Sequence, residues 1–135
     1  MKKIWLIVGF VLALISSVLA YDLPDNFWRG LVAEAVGDGY SGMYAVATCV
    51  RNRLDKGMST GLCGLDRKDL ISFVTRQGKK YELMAKKIIK EVFEEKGVDT
   101  TGGAIYFENI KRYGKPKWCK VMTVKIKNHT FYKGE

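Results

Sequence analysis

Two carboxylates four residues apart, Glu34 and Asp38, mark the stretch of this chain best suited to chemistry. Glu34 lies inside the apolar run Leu31-Val32-Ala33-Glu34-Ala35-Val36, and Gly37-Asp38-Gly39 follows at once. An acid held against apolar neighbours tends to keep its proton near neutral pH, because burial penalises the charged form. A protonated carboxyl at the lip of a cleft is what breaking a glycosidic bond requires. The plain alternative is a glutamate that points into water, as most helical glutamates do. Asp38 would share a helix face with Glu34 if the helix continued. Gly37 and Gly39 are placed to bend the chain instead, leaving Asp38 to cap or brace the next turn, or to serve as a simple turn residue. Glu34 is therefore the candidate acid and Asp38 its support.

Other chemistries find little material. The chain has one histidine, His129, and neither HExxH nor a paired-cysteine pattern. A zinc hydrolase draws on several His, Cys or carboxylate ligands, so no metal and no cofactor is expected. There is no G-x-S-x-G turn for a serine nucleophile, and Gly102-Gly103 lacks the Lys and Ser/Thr of a phosphate loop. A Cys49–His129 or Cys119–His129 pair is the remaining nucleophilic reading. His129 either orients a strand by hydrogen bonding or lines a cleft. Tyr106, Trp118 and Tyr132 are either core residues or platforms for stacking a sugar, and the large area an aromatic buries favours core for two of the three.

These groups must be carried by an exported domain. Lys2 and Lys3, the apolar run Ile4 to Leu14 and the small residues Ser16-Ser17-Val18-Leu19-Ala20 read as a signal peptide over residues 1–20, cut after Ala20. An uncleaved membrane anchor is the competing reading. Residues 21–135 then form one domain of ordinary globular composition. The whole chain carries a net charge of +9. Without Lys2 and Lys3 the remainder keeps 21 basic and 14 acidic residues, a net of +7. Such a charge in an exported protein suits a polyanionic envelope, with an attraction that salt weakens. Export and the lack of a recognised motif argue against nucleic acid. In an oxidising setting the three cysteines suggest one disulfide and one spare thiol, with Cys63 and Cys119 as candidates for the bridge and Cys49 as a packed free thiol.

The spacing predicts a first helix from Phe27 to about Val36, capped by Asp25 or Asn26. A second, capped by Ser41, would carry Ala45, Val46, Cys49, Val50 and Leu54 inward and stop near Gly57. Asp66 opens a short helical segment through Leu70, Ile71 and Phe73. A longer helix from Lys79 to Lys96, ended by Gly97, is expected to turn Leu83, Met84, Ile88, Ile89, Val92 and Phe93 inward. Beyond it Ala104 to Phe107 and Val121 to Ile126 read as strands, and Phe131-Tyr132 extends a small sheet. The fold class is α+β, mostly helical, with a small antiparallel sheet near the C-terminus.

In order along the chain, these motifs resemble the SleB/CwlJ-type cell wall hydrolases, the spore cortex-lytic enzymes and their relatives. The resemblance rests on Leu31 to Ala47 with Val50-Arg51-Asn52-Arg53, on Leu62-Cys63-Gly64, on Thr101 to Asn109 with Pro116 and Trp118, and on Asn128-His129-Thr130-Phe131-Tyr132. It spans nearly all of the exported part. Asp38 stands where the family usually has a second glutamate, and Lys127 where it has a glycine. The resemblance implies a small lysozyme-like domain that cleaves the glycan strand of peptidoglycan, with the catalytic glutamate at Glu34. Tyr106, Asn109, Trp118, His129 and Tyr132 would meet the substrate. The protein would be a secreted monomer of the envelope or periplasm, off the membrane once its signal is cut. Two outcomes follow protonation by Glu34: attack by water, as in a muramidase, or closure of an anhydro ring by the sugar's own 6-hydroxyl. A site with one main acid favours the second, a lytic transglycosylase. The rival classes are an N-acetylmuramoyl-L-alanine amidase, which would usually need zinc, and a non-catalytic envelope-binding module.

Overall fold

The structure, a computed structural model, describes residues 21–62, 65, 67–109 and 121–134. The signal segment, Asp66, Trp118 and the candidate Cys63–Cys119 bridge lie outside the described residues.

Helix α1 spans Phe27–Ala35 and buries Phe27, Leu31, Val32 and Ala35. A single 3-10 turn, Val36–Asp38, separates it from α2, Gly39–Asp55. Helix α2 is the axis of the domain. Residues from Met43 to Val50 are almost all inaccessible, so the helix is enclosed on most of its circumference. The Thr48 hydroxyl, buried with them, donates to the Ala45 carbonyl at 3.0 Å. Helix α3, Lys68–Gln77, buries only Val74. Gly78, at φ 93°, makes the corner to α4, Lys79–Ile89, which runs on into a π-helical turn over Lys90–Glu94.

Strands β1 (Tyr106–Glu108), β2 (Val121–Ile126) and β3 (His129–Lys133) form an antiparallel sheet in the order β1-β3-β2. β3 is its centre, with Phe131 at 0% and Tyr132 at 2% exposure, and β2 and β3 are joined by the turn Lys127-Asn128. Lys127 takes φ 55°, a left-handed conformation that glycine adopts more readily.

The α+β class is as expected, and several local expectations change. Asn26 occupies the N-cap position of α1 without capping it, and its amide donates instead to the Leu65 carbonyl at 3.4 Å. Helix α2 begins before Ser41, which is exposed in its first turn. Leu83 is 56% exposed rather than inward, because Ala85, Ile88, Val92 and Phe93 fill the buried face of α4 and its π turn. At its end Lys96, not Gly97, takes the left-handed conformation (φ 54°), and the Gly97 N–H closes back on the Glu91 carbonyl at 2.8 Å. Gly97 is needed for space, since a Cβ there would sit 2.3 Å from the Tyr44 hydroxyl. Phe131-Tyr132, expected to extend the sheet, lies in its central strand.

The polar run Arg51-Asn52-Arg53 fastens the irregular segment before β1 to α2. Arg51 Nη1 donates to the carbonyls of Val92 (2.9 Å) and Gly97 (2.7 Å). Asn52 Nδ2 donates to Asp99 Oδ2 and to the Ala104 carbonyl, each at 2.9 Å. Arg53 reaches the carbonyls of Ser59 (2.9 Å) and Ile105 (2.8 Å). Asp99 in turn accepts from the backbone N–H groups of Thr101 and Gly103, each at 2.8 Å. Burial alone would raise the Asp99 carboxyl, but hydrogen bonds from Thr101, Asn52 and the two backbone N–H groups outweigh it and hold it down to about 2. A carboxyl depressed on folding stabilises the folded state above its usual 3.8 and loses that contribution as pH falls toward about 2. Amide exchange at Thr101 and Gly103 is accordingly expected to lose protection between those values, and Asp99→Asn to lack that acid step.

Candidate functional site

The short turn between α1 and α2 is where Asp38 meets the sheet. Asp38, 6% exposed, leaves the last position of the 3-10 turn and makes no capping bond to α2. Its carboxylate crosses to the β2–β3 turn instead. Oδ1 accepts from Asn128 Nδ2 at 2.8 Å and from the Asn128 backbone N–H at 3.4 Å. Oδ2 lies 2.5 Å from His129 Nδ1. A carboxylate only accepts, so Nδ1 carries the hydrogen of that contact and the ring's other nitrogen is Nε2. Asp38 thus braces a turn 90 residues away rather than the adjacent one.

Two features of the fold make this reach possible. Gly42 stands one helical turn beyond Asp38, where a Cβ would fall 2.1 Å from the Asp38 Cβ, so only glycine leaves space. The His129 ring packs edge-on to Phe107 at 5.7 Å and tilted to Phe131 at 6.4 Å, which fixes its plane. Both side chains are nearly shut from solvent, His129 at 7% and Asp38 at 3%.

Glu34 lies in the last turn of α1 and is half-buried, on the flank of the face formed by Leu31, Val32 and Ala35. Tyr106 is half-buried on β1, with the Arg53 guanidinium 5.7 Å from its ring centre. Asn109 follows β1, half-buried, and its N–H donates to Glu108 Oε1 at 3.1 Å. Strand alternation puts Glu108, opposite Thr130, on the other face of the sheet from His129. Tyr132 is interior, which gives it the core role of the two considered for it. Cys49 is a free thiol with no exposure, pushed up by burial to about 12, and so it is a packing residue and a poor nucleophile. Among the described residues, no group of three or more His, Cys, Asp and Glu side chains gathers where it could hold a metal ion.

Sequence reasoning singled out Asp38 and His129 separately and did not pair them. It missed Asn128 and Gly42 as partners of Asp38. The one available signal was Asn128-His129 directly after a strand, where a hairpin turn would present both side chains together.

A small α+β domain that gathers carboxylates, a histidine and aromatic rings about the start of its central helix has the make-up of a hydrolase domain. The model of the family described as Cell Wall Hydrolase matches residues 37–132, and the chain belongs to that family. Comparisons with curated proteins and with solved structures return no match. The matched span includes Asp38, Gly42, Asn128 and His129 and opens three residues after Glu34. Membership implies degradation of peptidoglycan and work at the cell envelope. Among the described residues no helix is long and apolar enough to cross a membrane.

Proposed function

We propose that this protein cleaves the glycan strand of peptidoglycan with Glu34 as its single acid and base, as a lytic transglycosylase. Glu34 donates its proton to the bridging oxygen while the sugar flattens toward an oxocarbenium ion. The resulting carboxylate then takes the proton of the same sugar's 6-hydroxyl, whose oxygen closes an anhydro ring, and the acid is restored. The observation that carries this reading is the commitment of Asp38. Both its oxygens are engaged by Asn128 and His129, so it is held away from attack on a sugar or activation of a water. The role of acid then falls to Glu34, the position to which the resemblance assigns the catalytic glutamate.

In the same proposal residues 1–20 export the chain and are removed, and the protein acts as a monomer. Its net positive charge holds it to the polyanionic wall. Tyr106, Asn109 and Trp118 keep the substrate role that the resemblance gives them, while His129, nearly shut from solvent, serves by orienting Asp38. The test is mass spectrometry of the fragments released from purified peptidoglycan. Anhydro-ended muropeptides are the expected products. Reducing ends would replace the ring closure by hydrolysis, free stem peptides would make the protein an amidase, and intact glycan would leave a binding module.

A further inference from the structure

Beside the turn that carries His129 lies a groove of about 560 Å³ lined by Tyr40, Ser41, Tyr44, Glu91, Val98, Thr100 and Ile126. This volume is within the range of small-ligand sites. Its walls continue the site in the chain: Tyr40 and Ser41 follow Asp38 in the first turn of α2, and Ile126 is the last residue of β2 before Lys127-Asn128. Tyr40 and Tyr44 stack with ring centres 5.9 Å apart, and Tyr40 is 41% exposed. The Tyr40 hydroxyl donates to Glu91 Oε2, which fixes the ring, and the Tyr44 hydroxyl donates to the Val98 carbonyl at 2.9 Å. Val98 itself is 80% exposed, an apolar side chain with no role in the core.

We infer that this groove is a binding subsite for an N-acetylated hexosamine ring of the glycan strand, next to the bond that is cut. An aromatic face held open to solvent matches the CH face of a pyranose. Val98 and Ile126 supply an apolar wall for the acetyl methyl, and Ser41, Thr100 and Glu91 offer partners to ring hydroxyls. An amphipathic ligand of this kind fits a mostly apolar groove with a few polar groups better than a charged one does. The assignment rests on the glycan reading above and specifies where the strand is held.

The test combines binding with kinetics. The inactive Glu34→Gln protein is titrated with the N-acetylglucosamine tetramer and followed by NMR, where shifts are expected at the amides of Tyr40, Val98 and Ile126. In the active protein, Tyr40→Ala and the surface change Val98→Asp are expected to raise KM on soluble glycan fragments about tenfold, with kcat within about twofold. Tyr40→Phe retains the ring but loses its tie to Glu91, and is expected to raise KM less than Tyr40→Ala does. Glycan products with unchanged KM in Tyr40→Ala and Val98→Asp, or tetramer shifts confined to other surfaces, would overturn the subsite alone. Tetramer bound in the groove by a protein that releases only stem peptides would retain the subsite and overturn the glycosidase reading.

Discussion

Glu34→Gln is expected to slow release of soluble fragments from peptidoglycan by about a thousandfold or more, within the span usual for losing a general acid at its reacting centre. The substitution keeps the shape and the hydrogen-bonding reach of the side chain and removes the transferable proton. Because Glu34 is half-buried on the flank of α1, with the packing of that helix carried by Phe27, Leu31, Val32 and Ala35, the thermal transition should move little. Loss of activity at constant stability separates a chemical role from a structural one. If turnover persisted at the original rate, the proposed mechanism would be abandoned. Asp38 then offers the contrast. Asp38→Asn leaves a side chain with one oxygen acceptor in place of two, so it weakens the tie to Asn128 and His129, and its defect should appear in stability together with rate.

Gly42→Ala is expected to be among the most disruptive single-methyl changes in the domain. The new Cβ would fall 2.1 Å from the Asp38 Cβ, and neither atom can move without its backbone. Either α2 shifts at its start or Asp38 is pushed from its pocket. The first is overpacking of a close-packed interior, and the second leaves a buried carboxylate and the His129 and Asn128 donors without their partners. Both routes cost about 2–4 kcal/mol, and both should remove most activity. Gly37→Ala, five residues earlier in the same motif, supplies the control. A Cβ there meets nothing within 4 Å, and the residue is not in the left-handed region. Stability close to the original for Gly37→Ala and a large loss for Gly42→Ala, measured by denaturant melts, is the expected pair. Comparable losses in the two would mean that the motif's glycines serve the backbone and not the seat of Asp38.

The helical framework was readable because it rests on local periodicity. Phe27, Leu31, Val32 and Ala35 recur at helical spacing, as do Val46, Cys49 and Val50, and both sets are buried. Val121 to Ile126 was readable as a strand through its residue types and alternation, and β2 has those bounds. Boundaries were harder to read. Ser41 and Asn26 have the chemistry of caps, yet neither caps a helix: Asn26 turns to the Leu65 carbonyl, and α2 starts before Ser41. Leu83 shows the same limit from the apolar side. A helix with more apolar residues than its buried face can take must leave one outside.

What the sequence by itself determined is the set of available groups: one histidine, few carboxylates in apolar settings, an ordered series of motifs, and from these the α+β class and the cell wall hydrolase family. The tertiary structure alone decided how those groups are spent. It joined Asp38 to His129 across 91 residues, assigned Gly42 to make room for that union, placed Tyr132 in the core, and set Tyr40 beside Glu91 from the π-helical turn after α4. Local spacing reports which face of its own element a side chain occupies. A partner supplied by a distant segment depends on how helices and sheet pack, and no local pattern encodes that.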